Sequence, residues 1–150
     1  MILYRLGSCN YIKDLSGSGS RLYGGRWNSI GKPMVYLASS RSLAVLEVLV
    51  HVQTATLPSN FCIAELEVQS QTVFEVSPQI LPADWQDPSP PQFLQELGDL
   101  FLTKKDFLLM KVPSVIVPQE FNYLLNPLHP SASTIKVIQS EPFVFDNRLF

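Results

Sequence analysis

Hydrophobic and polar positions change period several times along the chain. Ile2-Leu3-Tyr4-Arg5-Leu6 is β-branched and aromatic-rich ahead of Gly7-Ser8, and predicts an opening strand. Pro33 to Ala38 predicts a second strand, after which Ser39 and Ser40 offer hydroxyl caps to a helix from about Arg41 to Val52. Ala64, Leu66 and Val68 alternate with Glu65 and Glu67, and Thr72 to Val76 is β-rich, so each segment predicts a strand. From Gln92 to Thr103 the period becomes helical, with Phe93, Leu97, Leu100 and Phe101 on one side. Leu108 to Lys111, Val115 to Val117, Ile135 to Ile138 and Phe143 to Phe145 predict short strands.

The segments between these elements differ in kind. Ser16-Gly17-Ser18-Gly19-Ser20 has the composition of a flexible linker, yet Gly24-Gly25-Arg26-Trp27-Asn28 follows closely with side chains that no spacer needs. Pro78, Pro82, Pro88, Pro90 and Pro91 fix their own φ and turn their predecessors away from helix, so residues 77 to 91 predict a long irregular excursion, a candidate lid. There is no internal repeat. Strands and helices do not alternate as regular βαβ units, which favours a single mixed α+β domain over a doubly wound parallel sheet.

Composition narrows the function classes. Of 150 residues, 46% are hydrophobic and 16% charged, against roughly 25% charged in an average globular protein, which excludes global disorder. A formal net charge of -2 gives no electrostatic footprint for nucleic acid. The richest apolar run, Leu43 to Val52, contains Glu47 and His51 and falls short of the roughly 18 to 20 residues of a membrane span. With no signal-peptide pattern at Met1 to Arg5, the expectation is a cytoplasmic protein in which Cys9 and Cys62 stay reduced thiols.

Glu47 is the most informative position, the one acid among Ala44, Val45, Leu46, Val48, Leu49 and Val50. A carboxylate drawn toward an apolar interior needs a cation, a hydrogen-bond network or a ligand; otherwise it faces solvent. His51 lies four residues on, placed either to meet Glu47 or to complement the helix C-terminus. Arg26, after two glycines, could fork onto a phosphate or carboxylate. Arg26, Tyr36 and Glu47 together would suit an anionic ligand that carries a ring and develops positive charge. His129, in Asn126-Pro127-Leu128-His129-Pro130, is too isolated for a metal site, and no GxGxxG or phosphate loop is present.

These motifs in combination resemble the RES-domain toxins of bacterial RES/Xre toxin–antitoxin modules. The matching segments are Tyr4-Arg5, the Gly24-Gly25-Arg26-Trp27-Asn28 box with Gly31, Val35 to Ser40 running into Ala44 to Glu47 and His51, Val112-Pro113-Ser114, and Asn122 to Pro127 with His129. Together they span nearly the whole chain, residues 1–150. The resemblance implies an ADP-ribosyltransferase-like fold, a mixed sheet core with flanking helices. It also implies NAD as substrate, degraded by hydrolysis or phosphorolysis, and restraint by an Xre-type antitoxin. By position it carries over Arg5 and Arg26, Tyr36, and Glu47; Ser114 is the serine it points to, with Ser131 and Ser133 as alternatives.

The residue types fit that chemistry. Breaking the nicotinamide–ribose bond creates an oxocarbenium-like centre, which the Glu47 carboxylate can stabilise. The arginines would hold the diphosphate, Tyr36 would stack on the nicotinamide, and Ser114 would donate a hydrogen bond to the ring or ribose. No cofactor or metal is required. Mono-ADP-ribosylation of a protein and non-catalytic ligand binding are the competing readings. The expected partners are the antitoxin and NAD, with no direct contact to nucleic acid or membrane; homodimerisation is left open.

Overall fold

A computed structural model describes residues 1–53, 59–69 and 72–150. In chain order the elements are β1 (Ile2–Ser8), α1 (Ser18–Tyr23), β2 (Val35–Ala38), α2 (Arg41–Leu49), β3 (Phe61–Glu67), β4 (Val73–Glu75), α3 (Gln92–Lys104), β5 (Leu109–Pro113), β6 (Phe121–Leu125) and β7 (Lys136–Phe143). The strands form one mixed sheet in the order β4-β5-β6-β2-β1-β3-β7. Among the described residues only β4 with β5, joined across α3, is parallel; the other pairs are antiparallel. This is the α+β class that the irregular alternation of elements predicts.

One pairing positions the site. β1 and β2 meet at a single registered couple, Tyr4 with Ala38. The sheet is therefore two half-sheets, β4-β5-β6-β2 and β1-β3-β7, joined at one narrow seam.

Strand alternation sorts side chains onto two faces. Leu3, Val35, Leu37, Ala64, Leu66, Leu109 and Leu125 form one cluster, covered by Ile12, Leu15 and Ile135. On the opposite face Met110, Val112 and Leu124 pack with Leu94, Phe101 and Leu102 of α3. Leu6, Ala38 and Ile63 pack with Leu43 and Ala44 of α2. α3 thus sits over one half-sheet, while α2 packs on β1 and β3 and on Ala38 of β2, and a cleft is left between the two helices.

Several sequence expectations need correction. The serine–glycine stretch at 16–20 is not a linker, because Asp14 accepts hydrogen bonds from the Ser16 N–H and the Ser18 hydroxyl, and Ser20 Oγ ties to both N and O of Met34. Those bonds order the chain into α1. Val115 to Val117 is a turn, since the Ile116 and Val117 N–H groups both donate to Ser114 Oγ instead of to a neighbouring strand. In α3 the buried positions are Leu94, Gly98, Phe101 and Leu102, while Phe93 and Leu100 face solvent. β6 lies inside the sheet between β5 and β2, although no strand is predicted at 121–125, a short run interrupted by Asn122. The segments at 135–138 and 143–145 belong mostly to one edge strand, which tolerates Pro142 because an edge needs no ladder bond there.

The cysteines also depart from expectation: Cys9 and Cys62 form a disulfide. Antiparallel register places Gly7 opposite Cys62, and the Cys9 N–H donates to the Asn60 carbonyl just beyond it, which brings the Cα atoms to 4.8 Å. Proximity is decided by strand pairing, which compartment reasoning cannot see.

Candidate active site

A cleft of about 660 Å³ opens at the seam. Tyr4, Arg5 and Leu6 line it from one half-sheet, Tyr36, Val112 and Asn122 from the other, with Arg26, Glu47 and His51 around them. Its volume lies in the ordinary range for a small-molecule site, roughly 300 to 1,000 Å³.

Helix α2 delivers Glu47. Ser40 caps it by accepting the Leu43 N–H, and Leu43 and Ala44 bury against the sheet. One turn beyond, Glu47 falls on the same face and comes down half-buried at the cleft. Its Oε1 accepts from Ser114 Oγ at 2.8 Å and from Asn122 Nδ2 at 2.5 Å. Among the described residues no hydrogen bond reaches Oε2. Of the settings open to Glu47 from sequence, a cation, a hydrogen-bond network, a ligand or a solvent-facing position, the structure has the network.

Ser114 is fully buried and does not line the cleft. Its Oγ accepts two backbone N–H groups, so the single hydroxyl proton goes to Glu47. The donor expected to reach a ring or ribose instead sits behind the carboxylate and orients it. Ser131 and Ser133, near the short helical turn Ala132–Thr134, are not part of the cleft wall.

Tyr36 has two ends in different surroundings. The residue is 36% exposed, yet its hydroxyl donates to Asn28 Oδ1 at 2.6 Å and accepts the Trp27 N–H at 3.1 Å. Burial of that hydroxyl raises its pKa above the ordinary tyrosine value despite the opposing Trp27 bond and Arg26 charge. The ring is thus left as an accessible platform with a fixed anchor, suited to stacking and not to proton transfer. Gly25 makes the anchor possible, since a Cβ there would lie 2.5 Å from the hydroxyl and 2.8 Å from Asn28 Oδ1.

The Gly-Gly-Arg-Trp-Asn box is clamped from both sides. Asn28 is fully buried and donates to the carbonyls of Ser20 and Lys32. From α3, Gln95 donates to the Gly25 carbonyl and Asp99 accepts from Ser29 N–H and Oγ. Arg26 projects from this loop and donates to the carbonyls of Trp85 at 2.8 Å and Asp87 at 2.9 Å. Burial lowers its pKa and the Glu47 charge opposes the shift, though a guanidinium stays protonated. Two of its five N–H donors hold the proline-rich excursion; three remain for a ligand.

Arg5 lines the cleft but is similarly engaged, its Nη1 donating to the carbonyls of Ile12 and Asp14. Burial lowers its pKa against the pull of Asp14. His51 also lines the cleft, and of its two readings the pairing with Glu47 is not formed. Asn126 and His129 are structural: Asn126 Nδ2 donates to the last-turn carbonyls of α3, and His129 Nδ1 accepts the Ser131 N–H. Among the described residues, no three His, Cys, Asp or Glu side chains converge as a metal site would require.

Sequence reasoning gave no role to Asn122, Gln95 or Tyr4. The Tyr4 ring lies at the cleft under the Arg41 guanidinium, 4.8 Å from its centroid, and Arg41 also pairs with Glu65. Tyr4 and Tyr36 occupy like-facing positions of adjacent strands, the one signal that could have joined them.

Fold and site together define the class, a single α+β domain whose cleft opens at the seam of two half-sheets around a fixed carboxylate. A family model described as the RES domain matches residues 2–146, and the chain belongs to that family. A protein of Photorhabdus laumondii subsp. laumondii named Toxin Res is 40% identical over 99% of this chain and 97% of its own. A Sphingobium sp. protein named Prs ADP-ribosylating toxin is 39% identical over 91% of this chain and 86% of its own. In structure, a chain from the M. tuberculosis MbcT-MbcA toxin-antitoxin complex superposes with a TM-score of 0.76 at 21% identity, covering 95% of this chain and 83% of that one. The last likeness bears on fold alone.

Proposed function

We propose that the chain is the toxin of a toxin–antitoxin pair and that it consumes NAD by cleaving the bond between nicotinamide and ribose. The observation that carries the reading is Glu47, a carboxylate held at the cleft by two donors on one oxygen, with the other oxygen free of hydrogen bonds from the described residues. In the reaction the ribose C1′–N bond breaks with both electrons passing to nicotinamide, which leaves neutral. An acceptor oxygen, from water or phosphate, bonds to C1′ and releases its proton. Positive charge on the ribose peaks between these events, where a preorganised carboxylate stabilises it. Tyr36 offers a stacking face for the ring, and the remaining Arg26 donors suit the diphosphate.

The names of the relatives support the toxin role. The complex containing the structural neighbour supports an antitoxin partner, which we take to be Xre-type and to act by covering the cleft.

Purified chain incubated with NAD, with products identified, tests the activity. Free nicotinamide together with ADP-ribose or its 1-phosphate is the expected result, and Glu47→Gln should lower turnover by about 10²-fold or more while the fold is unchanged. Wild-type turnover in that variant would remove Glu47 from the chemistry. The Sphingobium relative's name favours a second reading, in which the acceptor is a protein; label transferred from NAD to a polypeptide would establish it.

A further inference from the structure

We infer that Asn122 is a positioning residue which, with Ser114, dedicates one oxygen of Glu47 to the protein so that the other is presented to substrate. The inference rests on the role proposed for Glu47 and assigns the device that sets its orientation.

Asn122 opens toward the cleft from β6, where its backbone is in register with Ala38 on one side and Val112 on the other. Pairing on both edges leaves the Cα little freedom, so Nδ2 comes from a rigid base. It donates to Glu47 Oε1, the same atom that receives the Ser114 proton. A carboxylate gripped twice on one oxygen cannot rotate about its last torsion without breaking both bonds.

The other end of the amide reveals what holds it. Asn122 Oδ1 is buried and has no hydrogen-bond partner among the described residues. No second contact among the described residues therefore competes with Glu47 to orient this side chain. Reversing the amide would set its oxygen against the carboxylate. The observed orientation is therefore the one that Glu47 dictates.

Such a residue acts through Glu47 and not through ligand binding, which separates its effects on kcat and KM. In the intact chain, Asn122→Ala and the isosteric Asn122→Asp should each lower kcat for NAD cleavage by about 10- to 100-fold, the scale of a misplaced catalytic group. KM should change little, and the thermal midpoint should fall less in the alanine variant than in the aspartate variant, whose carboxylate faces that of Glu47. Crystal structures of wild type and both variants provide an arm independent of turnover, with the expected result a Glu47 carboxylate ordered in the first and displaced or split in the others. An unmoved Glu47, wild-type kcat in Asn122→Asp, or kcat losses that merely track loss of fold would overturn the inference. If the wild-type chain leaves NAD intact, the proposed reaction falls, and the crystal structures still decide whether Asn122 orients Glu47.

Discussion

A tyrosine can serve a site by its ring, its hydroxyl or both, and at Tyr36 the two are separable. The hydroxyl joins Asn28 and Trp27, whereas the ring borders the cleft. Tyr36→Phe removes the oxygen and leaves Asn28 Oδ1 and the Trp27 N–H without partners, a loss of about 1–3 kcal/mol. The expected outcome is a lower melting temperature with NAD affinity retained, read by calorimetry; Tyr36→Leu should lose affinity as well. Arg26 poses a different question because its guanidinium already holds two carbonyls of the excursion. Arg26→Lys keeps the charge but not the planar fork. Titration of NAD into the Glu47→Gln background should show clearly weaker binding, and faster amide exchange near Trp85 should accompany it. Unchanged affinity would move the diphosphate contact to another cation.

At the level of elements, α3 decides where the Arg26 loop sits. Gly98 lies where a Cβ would be 1.6 Å from the Trp27 carbonyl oxygen, a backbone atom that cannot yield without the loop moving. In an exposed helix a Gly→Ala change stabilises by about 1 kcal/mol. Here the sign should reverse: overpacking of this kind costs about 1–3 kcal/mol, and turnover should fall with stability as the Arg26 loop is displaced. Gly19 in α1 is the control, since a Cβ there meets nothing within 4 Å. Denaturant unfolding of Gly98→Ala and Gly19→Ala should therefore shift in opposite directions.

Across the whole molecule, stability is shared among three core clusters and one covalent link. The Cys9–Cys62 disulfide spans 53 positions in sequence, and closing a loop of that size stabilises by about 4 kcal/mol on the chain-entropy account. It also secures the start of the segment whose carbonyls, at Ile12 and Asp14, receive Arg5 from the cleft wall. Reduction, or replacement of both cysteines by serine, should lower the urea midpoint by an amount equivalent to about 2–4 kcal/mol. No change in midpoint on reduction would mean that strand pairing alone holds the loop. Among the described residues no helix is long and apolar enough to cross a membrane.

Local pattern was sufficient for β1, β2, the Ser40 cap of α2 and the span of α3, because periodicity and capping act within a few residues. The same locality made Glu47 conspicuous, an acid in an apolar helix; the glycines before Arg26 singled it out together with Tyr36, and the family resemblance added Arg5 and Ser114. What each of these side chains touches was decided elsewhere in the chain. Glu47 meets Ser114 and Asn122 across 67 and 75 residues, and Arg26 meets Trp85 and Asp87 across 59 and 61. The Asn122 contact follows from β6 entering between β5 and β2, a five-residue strand whose short apolar run, interrupted by Asn122, has no period long enough to announce it. Composition says that a serine hydroxyl has one proton to donate; only the fold, by filling its acceptor sites with two backbone N–H groups, directs that proton to Glu47.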